Sequence, residues 1–69
     1  MNSNNFIVGA IYISLLNNKK EDVHKLLIEL INNCPNLISQ EIYNDIVFKM
    51  INKNMINIKI LKYLKKNIR

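Results

Sequence analysis

Glycine and proline occur once each in this 69-residue chain, at Gly9 and Pro35, and tryptophan is missing. So few turn formers argue against a turn-rich all-β fold, and an apolar share of 49% argues against disorder. Cys34 is the only cysteine, so no disulfide closes within one copy. A lone cysteine fits a reducing, cytoplasmic setting. His24 is the only histidine, and a histidine-based metal site therefore cannot be completed by one chain. It lies ten residues before Cys34, about 15 Å at helical rise, too far for a Cys–His nucleophile pair. No glycine-rich phosphate loop and no nucleophile elbow occur. The expectation is a non-enzymatic protein with no catalytic residue, no metal and no cofactor.

The apolar run at 6–16 is short of the ~20 residues that span a bilayer. No positive residue precedes it and no small-residue cleavage site follows, so it reads as part of the folded domain rather than as a secretory signal. Asparagine, isoleucine and lysine are over-used, the imprint of an AT-rich genome, which weakens any motif built on asparagine.

What the chain does have is helical period. In "NKKEDVHKLLIELINN", Val23, Leu26, Leu27, Leu30 and Ile31 form one apolar stripe. Asn18 is the expected N-cap, with Glu21 three residues on completing a capping box, and Pro35 ends the segment. Ser39 is the expected N-cap of a third helix, whose apolar arc includes Ile42, Tyr43, Ile46, Val47, Met50 and Ile51. The last helix has Ile56, Ile60, Leu61, Leu64 and Ile68 as its expected apolar face, although "INIKI" at 56–60 alternates like a strand. The first segment, "NNFIVGAIYISLLNN", is apolar all the way round, the mark of a helix covered on several sides. The reading is an all-α chain, one domain over 1–69, with helices near 5–17, 19–33, 39–52 and 55–68. They pair as two tandem helix-turn-helix hairpins, forming a small four-helix bundle or a repeat-like array.

A shift of 35 residues lays one half over the other, matching Ile11 with Ile46, Leu15 with Met50 and Val23 with Ile58. "KEDVHKLLIEL" at 20–30 and "NIKILKYLKKN" at 57–67 resemble the second helix of an ankyrin repeat, which would place Val23, Leu27, Ile60 and Leu64 in the repeat core. "YNDIVFKMINK" at 43–53 resembles instead the first helix of a pentatricopeptide unit, from a family that binds single-stranded RNA. The Thr-Pro-Leu-His opening and turn glycines of ankyrin repeats are absent, as are the small second-helix residues of pentatricopeptide units. What both resemblances imply is antiparallel helix pairs that stack.

The carboxylates read as helix-start residues, with Glu41 and Asp45 sharing a face at i, i+4. Charge is divided along the chain. Residues 1–48 carry three lysines against five acids, net −2, whereas 49–69 carry seven cations and no acid, net +7. On the last helix Lys59, Lys62, Lys66 and Arg69 share a strip, with Lys65 at its margin, opposite the apolar face. Such a strip suits a helix C-terminus and also suits polyanions. Apolar residues exceed what four short helices hide. Each exposed large aliphatic forfeits about 1.5–3 kcal/mol of burial, in a domain whose net stability is of order 5 kcal/mol. The expectation is a protein-interaction module, foremost a homo-oligomer, with Phe6, Ile7, Ile11, Ile28 and Phe48 as contacts. A nucleic-acid-binding protein using Lys59, Lys62, Lys65, Lys66 and Arg69 is the alternative, and a membrane surface ranks below both.

Overall fold

Two asparagines set the topology. Asn18 and Asn54 take the left-handed backbone conformation, at φ 60° and 58°, which asparagine tolerates better than most residues. The computed structural model describes residues 5–68, and there each asparagine closes the first helix of a hairpin. Just past each, a backbone N–H reaches back to a carbonyl five residues earlier: Lys19 to Ser14 at 2.9 Å and Met55 to Met50 at 2.8 Å. This is the Schellman closure of a helix C-terminus. Asn18 is therefore not the N-cap that its spacing from Glu21 predicts. Lys19 holds that position with no side-chain cap bond, because Asn18 is already committed to ending the helix before it.

The described residues form four α-helices and no strand: α1 (Asn5–Leu16), α2 (Lys20–Asn33), α3 (Gln40–Asn52) and α4 (Ile58–Lys66). A 3-10 turn at Pro35–Leu37 connects the hairpins and packs against α2. Ser39 caps α3, its Oγ accepting the Ile42 N–H at 3.1 Å. Helix α4 begins later than 55, at Ile58, because Asn57 is extended and its Oδ1 accepts the Ile60 N–H at 3.1 Å. The alternation in "INIKI" thus reflects a short extended lead into the helix.

The helices stand in a ring. Within each hairpin α1 packs on α2 and α3 on α4, and the hairpins join through α1 against α3 and α2 against α4. Helices α1 and α4 consequently occupy diagonal corners. The core is wholly apolar among the described residues. Helix α2 supplies Val23, Leu27, Leu30 and Ile31, and each other helix supplies a pair at i, i+4: Ile11 and Leu15, Ile46 and Met50, Ile60 and Leu64. Cys34, Ile38 and Met55 fill the ends. The radius of gyration, 10.8 Å, matches the ~11 Å expected of a compact domain of this length.

The 35-residue shift holds in the first helix of each hairpin, where Ile11, Ile46, Leu15 and Met50 are all buried. It fails in the second: Val23 is buried, whereas Ile58 is 61% exposed. Val23 and Leu27 take the places that Ile60 and Leu64 hold in α4, so the offset grows from 35 to 37 residues between the first and second helices.

Three polar ties fasten one hairpin to the other. Lys53 Nζ donates to Asn18 Oδ1 at 2.9 Å, and the Tyr63 hydroxyl donates to Asn32 Oδ1 at 2.8 Å. His24 Nε2 donates to the Met55 carbonyl at 2.7 Å. His24 is thus half-buried in the seam between α2 and the α3–α4 loop.

Candidate interaction surface

Helix phase decides which residues of α1 reach solvent. With Ile11 and Leu15 fully inward, the positions near 180° from them are 6, 9, 13 and 16. The exposures agree: Phe6 is 65%, Ile13 61% and Leu16 75% exposed, and Gly9 is exposed between them. No charged residue occurs anywhere on α1. The result is an apolar stripe along the outer corner of the bundle, with the large side chains Phe6 and Ile13 on either side of a glycine.

Two grooves flank α1. Towards α3, Tyr12, Leu15, Leu16, Lys49, Asn52 and Lys53 line a largely apolar groove of about 350 Å3. Asp45 accepts from Lys49 Nζ at 2.8 Å there, with the Tyr12 hydroxyl close enough to feel its carboxylate. Lys49 Nζ sits 5.7 Å from the Tyr12 ring centroid, within cation–π range. Burial pushes the Tyr12 hydroxyl up to about 12, helped by the neighbouring Asp45 carboxylate. The Asp45 carboxyl is held below its ordinary value by the hydrogen bond from Lys49 and then by the Tyr12 hydroxyl. Asp45 therefore joins a lysine and a tyrosine rather than forming an acid pair with Glu41. Towards α2, the groove is lined by Ser14, Asp22, Lys25, Leu26 and Glu29.

Of the expected contacts, Phe6 and Phe48 are open to solvent, but they lie on different helices, and Phe48 is accompanied by the exposed Ile51 on α3. Ile28 is 40% exposed. It lies one turn from both His24 and Asn32, whose hydrogen bonds bind α2 to the second hairpin. Ile11 is a correction: it is fully buried in the core and not open to a second molecule. Ile7 is half-buried and packs against the core. Ile13 and Leu16 are large exposed residues of α1 that sequence reasoning passed over. On a helix apolar all round, composition gives no phase, and only the inward pair Ile11–Leu15 supplies one.

On the diagonal corner, Lys59, Lys62, Lys65 and Lys66 are all exposed on α4, with Ile58 in their midst. None of the four makes a salt bridge among the described residues. Arg69 lies outside the described residues. The Tyr63 ring is turned to α2 by its bond to Asn32 and does not stack among these lysines.

Among the described residues no three His, Cys, Asp or Glu side chains gather into a metal-binding group, and no helix is long and apolar enough to cross a membrane. No family model, curated protein or solved structure matches the chain.

Proposed function

We propose that this chain is a non-enzymatic protein-interaction module that associates with itself through the outer face of α1. The observation that supports this reading most is the uncharged stripe of Phe6, Ile13 and Leu16, each more than three-fifths exposed on one helix face. Single exposed aliphatics are ordinary; three large ones in line on a helix with no charge are what an interface core is made of. The basic strip of α4 lies on the far corner and is free for another use. Light scattering at two concentrations and two salt levels tests the reading. The expected result is a mass that rises from monomer to dimer with concentration and is little changed by moderate salt. A monomer throughout sinks it.

A second reading rests on the four unpaired lysines of α4. It makes the chain a small nucleic-acid-binding protein whose attraction is sequence-blind and salt-sensitive, since each neutralised phosphate releases counterions. A labelled oligonucleotide retarded at low salt, and released by Lys62→Glu with Lys66→Glu, is its expected signature.

A further inference from the structure

Exposed apolar residues and unpaired cations meet on the α3–α4 side of the bundle. On α3, Ile46 and Met50 point inwards, while Asp45 and Lys49 lie towards Tyr12 of α1. Helix phase then sets Ile51 on the opposite side, towards α4, and Phe48 outermost. On α4, Ile60 and Leu64 point inwards and Tyr63 turns to α2. Ile58, Lys62 and Lys65 stand at i, i+4 and i+7, one row on the outer side away from Tyr63. Ile51 is in the last turn of α3 and Ile58 in the first turn of α4, so both lie at the same end of the hairpin, with Phe48 one turn from Ile51. Phe48, Ile51 and Ile58 are 62%, 59% and 61% exposed.

The five acids of the chain lie elsewhere. Asp45 is tied to Lys49, and Glu41 shares its face of α3. Asp22 and Glu29 line the groove between α1 and α2, and Glu21 is in the first turn of α2. None is on α4 or on the side of α3 turned to it. We infer that this side of the bundle docks on an anionic lipid bilayer, with Phe48, Ile51 and Ile58 entering the headgroup region and the α4 lysines meeting the lipid phosphates and carboxylates. Charge selects an anionic occupant, and the apolar tips select which one. A nucleic-acid backbone offers phosphates but leaves the three tips in water. An anionic bilayer satisfies both, since binding there grows with the apolar area entered and with each cation near the surface. Lysine stems are long enough to reach the headgroups while their neighbours insert. The inference does not depend on self-association through α1, which is on the diagonal corner from α4.

Vesicle flotation, with phosphatidylcholine alone and with phosphatidylserine added, tests this beside an oligonucleotide shift at the same salt. The chain is expected to float with the phosphatidylserine vesicles only. Lys62→Gln with Lys65→Gln is expected to weaken that binding about fivefold per lysine. Phe48→Ser with Ile58→Ser is expected to weaken it about tenfold or more and to leave any oligonucleotide retardation unchanged. The chain has no tryptophan, so Phe48→Trp reports insertion directly, and its emission is expected to shift to the blue with phosphatidylserine vesicles. No flotation, or flotation that the serine pair leaves unchanged, overturns the inference, as does an unshifted emission. Retardation of the oligonucleotide without flotation gives the surface to nucleic acid instead. Light scattering decides self-association separately, so either reading can fail without the other.

Discussion

Helices α1 and α4 hold the bundle in the same way and face the solvent in opposite ways. Each sends an i, i+4 pair inwards, Ile11 with Leu15 and Ile60 with Leu64. Outwards, α1 presents Phe6, Gly9, Ile13 and Leu16, whereas α4 presents Lys59, Lys62, Lys65 and Lys66. Two buried anchors are enough to seat either helix, so the outer face is free to vary with use. Inward residues account for the fold; outward ones account for what the fold meets.

The largest effect that sharpens this contrast is on stability. Leu15→Ala and Leu64→Ala are each expected to cost about 2–5 kcal/mol, a large part of the stability of so small a domain. Ile13→Ala and Lys62→Ala, on the outer faces, are expected to stay within about 0.5 kcal/mol in dilute solution. Urea unfolding of the four variants checks it, and an equal loss for inner and outer positions breaks the comparison.

Next in size is the separation of the two corners. Ile13→Glu is expected to leave only monomer in light scattering, by burying a charge at the stripe's centre. Lys62→Glu with Lys66→Glu is expected to leave the oligomer intact and to remove any retardation of an oligonucleotide. A dimer that survives the first change, or is lost with the second, reverses the roles assigned to the corners.

A smaller effect concerns the ties between hairpins. His24→Ala leaves the Met55 carbonyl without its donor and is expected to cost about 1 kcal/mol, measured as a shift of the urea midpoint. No change there removes the tie from the account of stability.

The smallest is a pH effect confined to the α1–α3 edge. Tyr12 is raised from 10.0 to about 12 on folding, so its neutral form is favoured in the native state. The contribution is complete below pH 10 and is lost as pH climbs through about 12. Tyr12→Phe is expected to abolish that alkaline limb in a melting series. Asp45 has the opposite sign: its lowered value adds stability above its ordinary pKa that fades as acid protonates it.

Much of the fold was legible because three of the four helices are amphipathic. The Val23–Ile31 stripe, the Ser39 cap and the inward Ile60–Leu64 pair all follow from period and capping rules. The Asn18 turn did not, since the same residue in the same place suits an N-cap or a left-handed C-cap, and only the preceding helix decides. Legibility failed most on α1. Every residue there is apolar or small apart from Asn5, Tyr12 and Ser14, so sequence placed Ile11 outside and passed over Ile13. The basic strip was legible at once, because charge declares its own outward side. His24 and Tyr63 were not, because their acceptors lie 31 residues away.

The diagonal placement of α1 and α4 has a consequence for any assembly built on the first of them. Two molecules joined at one corner each turn the opposite corner away from the junction, so the pair displays a polycationic patch at both extremities. An object of that shape gains strength by gripping two anionic sites at once, through avidity rather than through a better single contact.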